Sequence, residues 1–296
     1  MTDTLGNQAV PASRRRREGF WPTLIARFLK HKLAVLGLVV LILLGLLAIF
    51  APLLAPYTFD GQDASIIGQP QPPSAAHPMG TDQLGRDAFT RVLYGARISL
   101  MVGLFSALLA TFLGTLVGAL SGYYRGWTDT VLMRITDVVL CIPLLPLIIL
   151  LSGILRPSVT LLIVIVGSLS WMGTARLVRS QFLSLREREF VEASRALGGG
   201  DNRVMFRHIL PNALGPIIVS TTLSVGGTIM LESALSFLGL GVQPPTPTWG
   251  NLLNYASQWL TAAPWLAVFP GLMILITVLA VNFLGDGLRD AFDPRN

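Results

Sequence analysis

A glycine-rich nucleotide loop needs a lysine to reach bound phosphates, and the only lysines in this 296-residue chain are Lys30 and Lys32. Neither follows such a loop, so no ATP-hydrolysing site is expected in this polypeptide. His31, His77 and His208 fall in three separate segments, which excludes a local metal-binding cluster, and no metal site is expected. Cys141 is the only cysteine, so no intrachain disulfide can form; its place in an apolar stretch predicts a buried packing role. There is no Gly-x-Ser-x-Gly elbow, ordered Ser, His and Asp set, or paired-histidine motif, and the chain reads as a non-enzyme.

The most informative polar segment starts at Ser184 and reads SLREREFVEASRALGGGDNRVMFRHILPNALGPIIV. Phe190, Ala193, Ala196 and Leu197 recur at helical spacing while Arg186, Glu189 and Arg195 occupy other faces, which predicts a surface helix with one face free to bury against something. Gly198, Gly199 and Gly200 end it. Asp201 or Asn202 is a plausible cap for a second short helix stopping before Pro211. Helix, sharp turn and helix make a rigid protrusion: small residues let it seat in a cleft, glycine permits the redirection, and proline fixes the re-entry. An ordinary amphipathic loop is the other reading.

The elements that would position this segment are membrane spans. With 52% hydrophobic and 13% charged residues, the chain is short of polar cover for a globular surface. A bilayer-crossing helix needs about 20 apolar residues. Leu33 to Ala55 is charge-free, and further apolar stretches lie between Arg97 and Arg125, Asp137 and Arg156, and Arg156 and Arg176, the last two reading as a hairpin. Two more run from about Leu210 to Leu231 and from about Pro264 to Gly285. The expectation is an all-α, polytopic membrane protein of six transmembrane helices. Residues 1–32 form an N-terminal tail, 33–97 the first helix and an outer segment, 98–285 the core with the loop at about 184–210, and 286–296 a C-terminal tail.

Basic residues accumulate on the cytoplasmic side of a membrane. With the N-terminus inside, only Arg86, Arg91, Arg97 and Arg156 lie outside, and the other eighteen of the 22 basic residues lie inside. Both termini and the 184–210 loop are therefore expected to be cytoplasmic, and the net charge of +6 reads as topology rather than a nucleic-acid patch. Arg14 to Arg17 read as a topology determinant and lipid-headgroup contact, and Phe20 to Phe28 as an amphipathic surface stretch. Residues 56 to 90 read as a proline-rich loop with little core. Within it, Asp82, Arg86, Asp87 and Arg91 are spaced for charge pairing at the mouth of the second span. Gly114, Gly118 and Gly122 put a flat stripe on that span for tight packing. Pro143 and Pro146 should kink or loosen the third span, to line a path or as irregular packing, and Gly226 and Gly227 leave the same choice open. Trp249, Tyr255, Trp259 and Trp265 suit interfacial anchors, and Asp286, Asp290 and Asp293 a capping role at the inner end of the sixth span.

The 184–210 segment resembles the cytoplasmic coupling loop of permeases in ABC importers, whose pattern is Glu-Ala-Ala, three residues, Gly, nine residues, Ile, one residue, Leu-Pro. Glu192, Ala193, Gly198, Leu210 and Pro211 match; Ser194 replaces the second alanine, and His208 stands where isoleucine is usual. GTDQLGRDAFTRVLYGARISL from Gly80, LSFLGLGVQPPTPTWGNLL from Leu235 and GDGLRDAFDPR from Gly285 are similar to the second permease of dipeptide and oligopeptide importers. The resemblance implies a type I importer permease fold in the bacterial inner membrane. It also implies partners: a second homologous permease, two ATP-binding subunits carrying the ATP and Mg, and an extracytoplasmic substrate-binding protein. Substrates in the family range over dipeptides, oligopeptides, glutathione, haem and nickel chelates. An ion-gradient-driven transporter or channel is the rival reading, which would place ionisable groups near the bilayer midplane; Asp137 and Glu232 sit toward span ends instead.

Overall fold

The computed structural model describes residues 20–155 and 158–293; the Arg14 to Arg17 run lies outside them. Helix α1 (Phe20–Lys30) meets α2 (Lys32–Ile49) at His31, and α3 (Ala88–Tyr124) follows an outer segment. Helices α4 (Gly126–Cys141) and α5 (Leu144–Ile154) form one bent pair, and α6 (Val159–Ser168) and α7 (Met172–Arg186) another. Then come α8 (Glu189–Ala196), α9 (Asp201–Phe237), α10 (Trp249–Ala256) and α11 (Trp265–Phe292). Among the described residues there is no strand, only an isolated bridge between Thr81 and Asp87.

Helices α2, α3, α9 and α11 are each long and apolar enough to cross a bilayer, and the two pairs, bent by 76° and 45°, bring the spans to six if each pair counts as one. The first bend is the work of Pro143. The residue before a proline is driven out of the helical region, and Ile142 lies extended at φ −80°, ψ 121°. Cys141, at the last turn before this break, is exposed rather than buried, because α4 lies on the outside of the described bundle, with Thr136 its one buried residue. The second bend, around Leu169 to Trp171, has no proline to announce it.

Helix α3 is the central post, packed against α2, α6, α7 and α9. It starts at Ala88, well before Arg97, because Asp87 caps it: Oδ2 accepts the Thr90 amide at 2.7 Å. It ends where Arg125 takes φ +58°. The glycine stripe does what its spacing predicted. A Cβ on Gly114 would lie 2.7 Å from the Trp171 carbonyl oxygen, one on Gly122 2.7 Å from that of Arg179, and one on Gly118 would collide with that of Ala175. The backbones of α3 and α7 therefore touch.

The outer segment holds more than a proline-rich loop. Arg86 Nε meets Asp82 Oδ2 at 2.7 Å and Arg91 Nε approaches it at 3.7 Å, all three buried, whereas Asp87 pairs with His77 at 2.9 Å. Trp249 is no interfacial anchor. It is fully buried, and its Nε1 donates to the Val92 carbonyl at 3.1 Å. Beside it Glu232, also fully buried, accepts hydrogen bonds from Ser99 Oγ (2.9 Å) and Ser236 Oγ (2.7 Å), and Ser99 Oγ accepts the Trp249 amide at 3.2 Å. This carboxylate pins α3, α9 and α10 together. At the other end of the bundle, Asp290 meets His31 at 3.6 Å and the Asp293 carbonyl accepts from Arg27 at 2.8 Å.

Candidate functional site

The 184–210 segment lies at the end of α3 remote from the Asp82 cluster. Helix α8 has Glu189 and Glu192 in its first turn and Arg195 in its last, the arrangement its dipole favours. It stops through a double carbonyl cap: the Gly198 amide donates to the Arg195 carbonyl and the Gly199 amide to that of Ser194, both at 2.9 Å. This geometry places Gly198 at φ +80°, where a side chain is disfavoured. Gly199 lies directly on Ser194, since a Cβ there would sit 2.7 Å from both Ser194 oxygens. The serine that departs from the Ala-Ala pattern is thus half-buried under the turn.

Two local expectations change. Gly200, not Asp201 or Asn202, caps α9, and the Asp201 carboxylate instead accepts the Tyr123 hydroxyl at 2.5 Å. Nor does a short helix end before Pro211. Residues Val204–Ile209 widen into a π-turn, with the Leu210 amide reaching back to the Met205 carbonyl, and α9 runs on through Pro211 to Phe237. A π-turn opens the ladder where the proline ring would otherwise crowd the preceding turn, so proline is accommodated rather than breaking the helix.

The segment's base is rigid. Val191, Val204, Met205 and Ile209 are buried against Ala119 and Tyr123 of α3 and Val178 and Phe182 of α7. Tyr123 is the hub: besides binding Asp201, it stacks under Arg186 and Arg195, whose guanidinium carbons lie 5.6 Å from its ring centroid, and its carbonyl accepts from Arg186. A bidentate Arg179–Asp129 pair at 2.6 Å ties α7 to α4, and Arg125 meets Glu187 at 2.7 Å. Tyr123 went unremarked in the sequence; its only signal is the aromatic pair Tyr123–Tyr124 closing an apolar span. Tyr123→Phe should cost about 2 kcal/mol locally, the usual worth of a hydrogen bond to a charged group. Faster amide exchange over residues 198–205, with the spans unchanged, is the expected reading.

The face of α8 expected to bury itself stays open among the described residues. Val191 turns inward, while Phe190, Ala193 and Leu197 stay exposed, Leu197 at 89%. With Ser194, Arg203 and His208 they line a cleft of about 410 Å3. The structure thus brings Ala193, Ser194 and His208 together. Glu192 is exposed nearby, Gly198 forms the turn, Leu210 packs on the buried base, and exposed Pro211 lies outside the cleft. A larger hollow of about 550 Å3, between α2, α3, α9 and α11, is apolar. Its threonine hydroxyls are engaged: Thr221 and Thr222 bind the Ile217 and Ile218 carbonyls, and Thr111 meets Thr221 at 3.0 Å. Ser194 and His208 share the cleft without a hydrogen bond to each other, and among the described residues no three His, Cys, Asp or Glu side chains group as metal ligands. What the 184–210 segment can do is mechanical: present an apolar, basic-edged socket on a stiff base rooted in three spans.

Among the described residues the chain is a helical bundle of bilayer-length spans with a stiff polar segment at one end, and its relatives make it a transport subunit of the membrane, a permease. Residues 114–296 match the model of the binding-protein-dependent transport system inner membrane component, and the chain belongs to that family. Residues 19–73 match the N-terminal TM domain of oligopeptide transport permease C. The chain is 44% identical to the dipeptide transport system permease protein DppC of Alkalihalophilus pseudofirmus, covering 93% of this chain and 90% of that one. It is 42% identical to the oligopeptide transport system permease protein OppC of Bacillus subtilis, with the same coverage. It is also 42% identical to the glutathione transport system permease protein GsiD of Pectobacterium atrosepticum, covering 93% and 91%. Among solved structures, the inward-facing MetNI methionine ABC transporter shares the fold, with a TM-score of 0.52 at 19% identity over 68% of this chain and 96% of that one.

Proposed function

We propose that this chain forms, with a second homologous permease, the path by which short peptides cross the inner membrane. Of two separate ATP-binding subunits, which carry the ATP and Mg, one seats on the α8 cleft and the other on the corresponding loop of the partner permease, and an extracytoplasmic binding protein delivers the substrate. Both termini and the 184–210 segment face the cytoplasm, as the placement of the basic residues supports. The observation that carries the reading is the exposed face of α8 above a buried base: among the described residues nothing covers Phe190, Ala193 and Leu197, in a segment otherwise tightly held. Motion of an ATPase gripping that face passes through Val191, Val204 and Ile209 into α3, α7 and α9, and so into the spans. The peptide class rests on the relatives, named for dipeptide, oligopeptide and glutathione transport.

Reconstituted with its partners, Leu197→Glu should cut substrate-stimulated ATP hydrolysis and peptide uptake about tenfold, equivalent to ~1.4 kcal/mol of lost docking. The Leu197 side chain is 89% exposed, so the yield of folded permease should not change. Full uptake by this variant would overturn the docking role, and uptake without ATPase subunits would overturn ATP coupling. A cysteine replacing Gly200 and labelled from outside the cell would overturn the orientation.

A further inference from the structure

We propose that α1 and its junction with α2 form a docking surface for acidic phospholipid headgroups of the leaflet they face; the inference rests on the permease reading for its bilayer and its orientation. Helix α1 has two unlike faces. Leu24 and Phe28 pack on Ala34, Leu284, Leu288 and Ala291. Arg27 donates to the Asp293 carbonyl, and His31 both approaches Asp290 and accepts the Ala34 amide at 3.1 Å. These contacts fix how α1 is turned. The adjoining face, about 100° round the helix, carries Ile25 and Leu29, 53% and 61% exposed, and is followed on α2 by exposed Leu33 and Leu36. Exposed apolar side chains are thus present on both helices, on either side of their junction.

Where the two helices meet, Lys30 and Lys32 are exposed, and among the described residues neither makes an ion pair. The acidic groups facing the junction come from α11: Asp290 is shared with His31, and Asp286 and Asp290 are both exposed toward the aqueous end of that helix. The lysines stand where the charge-free span begins, the depth at which lipid phosphates lie. An apolar face immersed beside two such cations is the arrangement that holds an amphipathic helix on an anionic surface. Zwitterionic lipid would satisfy the exposed apolar side chains but not the unpaired charge, so the preference is for acidic headgroups.

The test uses the whole chain in liposomes, with Ile25→Cys labelled fluorescently on a Cys141→Ser background and quenched by doxyl-labelled phosphatidylglycerol or phosphatidylcholine. The acidic lipid should quench at about tenfold lower mole fraction, the preference two juxtamembrane lysines can supply. Lys30→Gln with Lys32→Gln should abolish that difference while leaving quenching by the neutral lipid unchanged. Equal quenching by the two lipids, or a preference that survives the double substitution, overturns the proposal. In intact cells carrying the unlabelled Ile25→Cys, Cys141→Ser permease, an impermeant thiol reagent separately reports which side position 25 occupies. A label on the extracytoplasmic side would overturn the orientation in the functional reading while the lipid preference still stood or fell on the quenching.

Discussion

Gly118→Val should abolish folded permease. The added side chain would drive into the Ala175 carbonyl oxygen, with Val178 Cβ at 2.8 Å and the Arg179 amide nitrogen at 3.0 Å from the new Cβ. These are mainly backbone atoms, which cannot swing aside as a side-chain tip can. Overpacking a core by a few methylenes costs about 1–3 kcal/mol when side chains can rearrange; separating two spans held backbone to backbone should cost about 3 kcal/mol or more. In lipid no hydrophobic drive restores the pair, since acyl chains are as apolar as the helix surfaces. Loss of α3–α7 packing would also remove Phe182 and Val178 from under Tyr123, so the 184–210 segment would lose its base. Gly45→Val is the control: nothing lies within 4 Å of a Cβ there, and the change should stay within about 0.5 kcal/mol. Yield of monodisperse protein in detergent and its melting temperature distinguish the two variants, with Gly118→Ala between them.

The spans and the stripe of glycines were legible because each depends on local composition or spacing. A charge-free run of bilayer length can do little else, and small residues every four positions can only share one helix face. The break at Pro143 was legible for the same reason, whereas that near Trp171 follows from how α6 and α7 pack and leaves no local mark. Polar side chains within the bundle were read less well. Trp249 looks like an interfacial anchor because a tryptophan near a span end usually is one; its burial depends on Val92, distant in sequence, whose helical carbonyl accepts the indole N–H on its second lone pair. Glu232 has a purpose only beside Ser99, brought near by the crossing of α3 and α9. The docking segment divides in the same way. Its turn was written in Gly198 to Gly200, but which face of α8 is covered depended on Val191 meeting Phe182 and Tyr123. The periodicity of Phe190, Ala193 and Leu197 marked an apolar face correctly; that this face stays open could be seen only once the rest of the chain was in place.

Gly198→Val should uncouple transport without unfolding the permease. Nothing lies within 4 Å of a Cβ at Gly198, so bulk is not the obstacle. The cost is conformational: at φ +80° a β-branched residue loses about 1–2 kcal/mol, enough to favour another turn and release the amides now bound to the Ser194 and Arg195 carbonyls. Helix α8 is attached to the bundle chiefly through Val191, so a changed turn redirects α8 relative to α9 while the spans keep their packing. Asparagine tolerates the left-handed region, and Gly198→Asn should therefore behave nearly as wild type although its side chain is as large as that of many residues that fail. In the reconstituted complex, the valine variant should lose about 90% of substrate-stimulated ATP hydrolysis and uptake, the consequence of ~1.4 kcal/mol of lost docking. Equal, severe losses in both variants would mean that a partner packs directly on position 198 and that bulk, not turn geometry, is decisive. Full activity in the valine variant would show that α8 transmits nothing, and would remove the segment from the mechanism altogether. The pair of substitutions thus separates a lever that depends on its angle from a surface that depends on its contacts.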